Sequence, residues 1–410
     1  MSESTIRHQR EPFLPRGVLR YKLRQQKVTH NHAVREPFLL IPRIPGMFRS
    51  LTVVCPLAVS LFVTVAPAQQ VRPANSVPKG IVWSPSLTGK SPTDSAAFDA
   101  LYADMEKEQH HDLKGVVIVQ SGALLSEHYF NGDSATTLHD IRSATKSLTS
   151  LLMGIAIDKQ VVHGVDDSIS QYLPGLPQDG KEKITIKDLL NMRSGLNADD
   201  EDPATPGNEG RLDESSDWIK SVYAIPMKRA PGEKYLYCSV NAFLTGAIIE
   251  NAAKSPLDDF ARTNLFGPLN IQNFRWRHIP VNRTTGQGNL EITARDAASL
   301  GQLMLNDGVV EGKRLVSHDW VTASLASQVP ISDSDPYSDF YGYMWYTRAE
   351  PVGDHKVLVH FASGNGGNKI YIVPSLHLVV AITSSAYGSR WGQRRSQDIL
   401  LRILSAATAR

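Results

Sequence analysis

The stretch "SLTSLLMGIAIDKQ", residues 147–160, constrains the fold more than any other. Leu148, Leu151, Leu152 and Ile155 repeat at the i, i+3, i+4, i+7 spacing of a helix with one buried face, and residues 152–157 are apolar nearly all round. A helix without a polar face must be wrapped by other elements, so the chain needs more than one layer around it. With 410 residues, 41% of them hydrophobic, it has the material to build those layers.

The flanking segments say what the layers are. Upstream, "DSAAFDALYADMEKEQ" has helical spacing at Phe98, Leu101 and Met105, and "GVVIVQSGALLSEHYFNG" reads as two strands turned at Ser121 and Gly122. Downstream, "ITIKDLLNMRSGL" is a short helix stopped by Gly195, and residues 197–214, crowded with Asp, Pro, Gly and Asn, form a long surface loop. Three more helices follow in "AFLTGAIIENAAKS", "PLDDFARTNLFGPL" and "TARDAASLGQLMLNDG". The chain then returns to strands in "YGYMWYTR", "HKVLVHFASG", "NKIYIVP" and "LHLVVAITSS" and closes with the helix "SQDILLRILSAATA". This order predicts an α+β protein, an antiparallel sheet flanked by helices with a helical block inserted between its two halves. One lobe is expected over residues 95–150 and 285–410, the helical lobe over 151–284, and together they make one domain, 95–410.

Residues 1–68 hold 10 Lys+Arg against 3 Asp+Glu, which leaves the remainder at about −5 although the whole chain is +2. No basic face for nucleic acid follows from that balance. Within "MFRSLTVVCPLAVSLFVTVAPAQQ" a basic start, an apolar run over 51–65 and Ala66-Pro67-Ala68 have the anatomy of a secretory signal peptide. The run is shorter than the ~20 residues of a membrane span. Residues 47–68 are therefore expected to be cut after Ala68, giving a periplasmic or secreted protein; an uncleaved anchor, the membrane's one hold on the chain, is the alternative. Residues 1–46 read as an extension outside the fold and 69–94 as a Pro- and Ser-containing tether. Of the two cysteines, Cys55 lies in the signal, so Cys238 has no partner for an intramolecular disulfide.

The chemistry starts where the buried helix starts. In "IRSATKSLTSLL", Ser143 and Lys146 stand three positions apart, on one helical face, and the first turn offers an oxyanion the positive end of the helix. A serine needs a base, and a lysine can serve if burial lowers its pKa. The same spacing recurs at Ser76 and Lys79, but there it lies in the tether with Pro78 between them, so spacing alone decides nothing. The bland reading makes Ser143 a helix cap and Lys146 a solvated side chain.

Tyr237 in "PGEKYLYCSVNAFLTGAIIE", at the end of a strand-like stretch and before a helix, extends the pattern. Together with "SATK", "ITIKDLLNMRSGL", "TARDAASLGQLML" and "FASGNGGNKIYIVP", it resembles the serine hydrolases of the class C β-lactamase and penicillin-binding-protein family over roughly residues 100–405. The segment "DWIKSVYAIPMKRAPGEKYLYCS" looks most like the branch of 6-aminohexanoate-dimer hydrolases and related esterases.

The resemblance implies a β-lactamase/transpeptidase-like fold with its site in the groove between the lobes, and the acidic loop 197–214, just before the Tyr237 segment, is expected to border that groove and shape the acyl pocket. Ser143 then matches the nucleophile that forms an acyl-enzyme, Lys146 the lysine of its proton network, and Tyr237 the tyrosine that hands protons between them and the leaving group. The backbone N–H groups of Ser143 and Asn365 would form the oxyanion hole, and Ser239, Ser363 and Gly364 would contact substrate; Trp345 in "YGYMWY" is a candidate substrate wall, although a tryptophan so placed is more often a core residue.

Two motifs depart from the family pattern. The usual Tyr-x-Asn runs Tyr237-Cys238-Ser239, and the usual Lys-Thr-Gly runs Ala362-Ser363-Gly364, so a substrate-gripping amide and a cation are both missing. That loss argues against β-lactamase or D-alanyl-D-alanine carboxypeptidase activity and for an ester or linear amide as the small-molecule substrate. A non-catalytic envelope binding protein on the same fold is the competing class. No metal or organic cofactor is expected, since no His-x-x-x-His or paired-Cys spacing occurs. A Gly-x-Ser-x-Gly elbow is also absent, which disfavours an α/β-hydrolase.

Overall fold

The computed structural model describes residues 95–408, apart from 281 and 282. The expected signal, tether and N-terminal extension lie outside these residues. An eight-stranded antiparallel sheet is built from strands β1 (Leu113–Gln120), β2 (Ala123–Tyr129), β3 (Val329–Pro330), β4 (Phe340–Gly342), β5 (Trp345–Val352), β6 (His355–Gly364), β7 (Asn368–Val373) and β8 (Leu378–Ser384). Their order across the sheet is β3-β4-β5-β6-β7-β8-β1-β2. The N-terminal hairpin therefore closes onto the last strand, with Val117 opposite Ala381, and the helical segment lies between the two halves in sequence.

Burial follows strand composition. The β-branched runs of β1, β7 and β8 are buried on both faces, with Val116 to Val119, Ile370 to Val373 and Leu378 to Ile382 all near zero exposure. Helix α1 (Ser95–Glu106) and the long C-terminal helix α5 (Arg390–Thr408) cover one face, and α4 (Ala294–Leu305) covers the other, where Gly301 lies against Val379 and Ile370. Arg395 of α5, buried, joins Glu108, Asp112 and Ser384, which ties α5 to the start of β1.

The apolar helix of the sequence is α2 (Thr145–Asp158), buried from Thr145 through Ala156. It packs on α3 (Ser239–Ala253), which is buried from Ser239 through Glu250. The lobe boundary expected near 150 falls inside α2. Thr149 Oγ1 donates to the Gly286 carbonyl at 2.5 Å and Ser147 Oγ to the Met344 carbonyl at 2.6 Å, fixing the start of α2.

"YGYMWYTR" is not one strand but the hairpin β4–β5, with Tyr343 and Met344 at its tip at φ of 45° and 65°. Left-handed backbone is unfavourable for such residues. Here it is held from outside: Asn191 Oδ1 accepts the Tyr343 N–H, the Leu190 carbonyl accepts the Met344 N–H, and Ser147 takes the Met344 carbonyl. The stretch before Tyr237 also differs from expectation, since residues 233–238 form no strand. Leu236 N–H reaches the Met192 carbonyl at 2.8 Å and the Tyr237 carbonyl accepts the Asp200 N–H at 3.3 Å, isolated ties in place of a ladder.

Candidate active site

Ser143 lies in a 3-10 turn, Arg142–Ala144, that runs directly into α2. Arg142 takes φ of 51°, and its guanidinium stands 4.0 Å from the Tyr387 ring, so the turn is clamped in a conformation few residues adopt freely. Lys146, one turn on and 2% exposed, donates from Nζ to Ser143 Oγ at 2.9 Å and to the Gln287 carbonyl at 2.9 Å. The i, i+3 spacing thus aims both side chains at one point.

Tyr237 comes to the same point from the other side. Its phenol interacts electrostatically with Lys146 and Ser143, and Lys146 Nζ stands 5.2 Å from its ring centroid. Burial raises the Tyr237 phenol above its ordinary value despite the Lys146 cation beside it. For Lys146, burial works to lower the pKa, but Tyr237, Glu209 and Asp200 outweigh it and hold the ammonium above its ordinary value. The expectation that burial would leave Lys146 a ready base is therefore corrected: three acidic groups face it.

Two of those groups come from the segment expected as a surface loop. Residues 197–214 are exposed over much of their length and line the groove through Asp200, Glu201 and Glu209, with Ala198, Leu212 and Asn208 buried and a short helix at Glu209–Asp213. Asp200 accepts the Ser239 N–H at 2.7 Å and the Glu209 N–H at 3.2 Å, and burial raises its carboxyl to about 6.

The groove holds connected cavities. One of about 450 Å³ is lined by Ser143, Tyr237, Asp200, Ser363, Gly364 and Asn365, among others. A smaller one of about 130 Å³ is shared by Ser143, Asn365, Gln287 and Arg142. A third, about 490 Å³, lies beyond Tyr237 among Tyr235, Tyr337, Tyr346, Ser363 and Lys369. Asn365 and Ser143 thus face common space, as two oxyanion donors must. The end of β6 presses on the turn carrying Ser143: a Cβ on Gly364 would collide with the Ile141 carbonyl oxygen and stand 3.2 Å from the Ala144 nitrogen.

Ser363 and Gly364 are brought to the groove, whereas Ser239 and Trp345 are not. Trp345 is 1% exposed in the core, because alternation along β5 turns it away and presents Tyr346 to the cavities instead. Ser239, also 1% exposed, opens α3 with its Oγ buried, and what it contributes is its backbone N–H to Asp200. Asn241 points away, its amide on Met192 Sδ at 3.5 Å. Cys238 is buried, and burial pushes its thiol well above the ordinary range, which suits packing rather than nucleophilic attack. His360 is a buried strand residue on Thr347, lowered to about 4 by burial.

Sequence reasoning missed Asp200, Gln287, Tyr346 and Lys369. Only Lys369 carried a readable signal, a lysine inside an otherwise apolar strand sequence, "NKIYIV".

The sequence profile of the family described as Beta-lactamase matches residues 98–401. The chain belongs to this family. Among solved structures, it is similar to "Putative 6-aminohexanoate-dimer hydrolase from Bacillus anthracis", at 19% identity and a TM-score of 0.63 over 74% of this chain and 80% of that one. A penicillin-binding protein homologue from Caulobacter crescentus follows at 17% identity and a TM-score of 0.60, covering 77% and 96%. At these identities the likeness speaks for the β-lactamase/transpeptidase-like fold. A Salmonella paratyphi B protein named "Putative D-alanyl-D-alanine carboxypeptidase" is 30% identical over 151 residues, and the match spans about a third of each protein, 34% of either length. Beta-lactamase-family membership places the chain in a superfamily of serine hydrolases.

Proposed function

We propose that the protein is a serine hydrolase that acylates on Ser143 and releases the acyl group to water, acting on an ester or linear amide, and that it is exported by the 47–68 signal. The observation that carries this reading is the Lys146 Nζ to Ser143 Oγ contact of 2.9 Å, with the Tyr237 ring 5.2 Å from Lys146 Nζ and lining the same cavity as Ser143. Ser143 Oγ attacks the acyl carbon and its proton passes to the Lys146–Tyr237 pair. That proton goes to the leaving oxygen or nitrogen as its bond to the acyl carbon breaks. Water then attacks the acyl-enzyme and gives its proton to the same pair, which returns it to Ser143 Oγ as the serine leaves. Lys146 and Tyr237 titrate as one unit, so the base is the pair that has lost one proton. The Ser143 and Asn365 amides hold the oxyanion throughout.

The test compares the protein with Ser143→Ala against a fluorophosphonate probe, short-chain nitrophenyl esters, linear amides and a chromogenic cephalosporin. Labelling at Ser143 with ester or amide turnover, both lost in the variant, is the expected result. Labelling that persists in Ser143→Ala, or the absence of any labelling and turnover, refutes the reading. Fast cephalosporin hydrolysis would move the substrate assignment to the β-lactamase or carboxypeptidase alternative.

A further inference from the structure

Lys369 lies on β7 directly opposite Ser363 of β6, and it is 3% exposed. Its Nζ donates to Ser363 Oγ at 2.8 Å and stands 4.6 Å from the centroid of the Phe361 ring. Among the described residues it forms no ion pair. An ammonium carries three donors, and a buried one held by a single hydroxyl and an aromatic face is under-satisfied. This group is not sealed in the core: it lines the cavity of about 490 Å³ together with Ser363, Tyr235, Tyr337 and Tyr346. Burial lowers Lys369 to about 8, the response of a cation short of negative partners.

We propose that Lys369 and Ser363 form an anion subsite at the floor of this cavity, taking a carboxylate that the substrate carries away from the bond being cut. The cation absent from Ala362 on β6 is thus supplied from the neighbouring strand. Glu201, Tyr237, Tyr346, Ser363 and Gln393 line both this cavity and the one containing Ser143, so one ligand can span from the nucleophile to Lys369. The cavity also contains Asp199, Glu201 and Asp335, of which Glu201 is exposed and the other two partly so. These carboxylates repel a multiply charged anion, so the ligand is a chain with a single carboxylate and an otherwise neutral or cationic body against the tyrosines. This substrate class rests on the serine hydrolase reading above; the subsite itself does not.

The experiment uses mono-nitrophenyl esters of glutaric, adipic and suberic acids beside the same esters with the far carboxyl capped as a methyl ester. The ratio of kcat/KM between free-acid and capped substrates is measured for the protein and for Lys369→Met, which keeps the stem and removes the charge. Loss of one charge-assisted contact lowers that ratio by about 10- to 100-fold, mainly through KM. Equal losses on both substrates would make Lys369 a structural lysine and overturn the proposal. A second measurement needs neither turnover nor a folded Lys369 variant: monomethyl adipate and dimethyl adipate are titrated into Ser143→Ala and followed by ligand-observed NMR. Binding of the monoester at least about tenfold tighter is expected for a charged contact, and equal binding refutes the subsite even if Ser143 proves not to be the nucleophile.

Discussion

Substituting Gly364 by alanine isolates what backbone approach does in the groove, because no side chain is lost. Gly364 does not adopt positive φ, so alanine fits its conformation and the only perturbation is the added methyl. That methyl would collide with the Ile141 carbonyl oxygen and lie 3.1 Å from the Ile141 carbonyl carbon and 3.2 Å from the Ala144 nitrogen. Neither side yields easily. Ile141 N–H is tied to the Leu290 carbonyl at 3.0 Å, Lys146 ties the turn to Gln287, Gly364 pairs with Asn368, and its carbonyl accepts Gln393 Nε2 at 2.9 Å.

Restoring ordinary contact requires the strand end and the Ser143 turn to part by roughly 1 Å, a displacement that can reduce a reaction by about 100-fold. The movement separates the Ser143 and Asn365 amides, so the loss falls on kcat and on the fluorophosphonate labelling rate, with KM changed only a few-fold. Overpacking should also lower stability by about 1–3 kcal/mol. The assay is ester turnover and labelling kinetics beside urea unfolding, with Gly164→Ala as control, where the new methyl meets nothing within 4 Å. A folded Gly364→Ala protein with kcat within about threefold of the parent would refute the placement of the oxyanion hole between these two amides, whose removal should cost at least about 100-fold.

The raised pKa values of both Lys146 and Tyr237 keep the pair fully protonated at neutral pH. kcat/KM is therefore expected to climb by about tenfold per pH unit above neutrality until the pair loses its first proton, read by ester turnover with the Ser143→Ala rate subtracted; a profile flat from pH 6 to 9 would contradict this. Asp200 gives a stability prediction of definite sign. Its folded value of about 6 exceeds its ordinary 3.8, so the folded state binds the extra proton and stability falls as pH rises through that window. The full loss is on the order of 3 kcal/mol, measured as the urea midpoint between pH 4 and 7, and Asp200→Asn should flatten the slope. Trp345→Ala tests the core assignment: it should lose about 3–5 kcal/mol of stability, whereas a selective rise in KM without loss of stability would return Trp345 to the groove wall.

Legibility in the sequence followed the range of the forces involved. The buried helix, the β-branched strands and the closing C-terminal helix were readable because period and composition act locally. The Ser143–Lys146 geometry was readable for the same reason, since three residues on a helix fix a direction. The hairpin at Tyr343 and Met344 was not, because its left-handed residues are held by Asn191, Leu190 and Ser147, more than a hundred residues away in sequence. That hidden turn bears on Trp345: along the strand it opens, alternation faces Tyr346 to the cavities and buries Trp345. Composition placed the segment 197–214 at the surface beside the groove but could not single out Asp200, since an Asp reads alike whether its carboxylate meets water or, as here, two backbone N–H groups.

The two buried lysines show why identity alone could not have assigned roles. Lys146 and Lys369 are equally hidden, at 2% and 3% exposure, and each donates to a serine, at 2.9 and 2.8 Å. Yet one is held above its ordinary value and the other is brought down to about 8. The difference is the company: Lys146 faces Tyr237, Glu209 and Asp200, which outweigh burial and stabilise its charge, while at Lys369, with aromatic rings close by, burial prevails over Asp335 and Glu350, and Arg348 adds to the lowering. A cation already compensated gains little from a further anion, so an incoming carboxylate gains most at Lys369. Burial alone would have made both lysines bases; the arrangement of charge leaves Lys146 in the proton-transfer pair and gives Lys369 the stronger electrostatic reason to bind an anion.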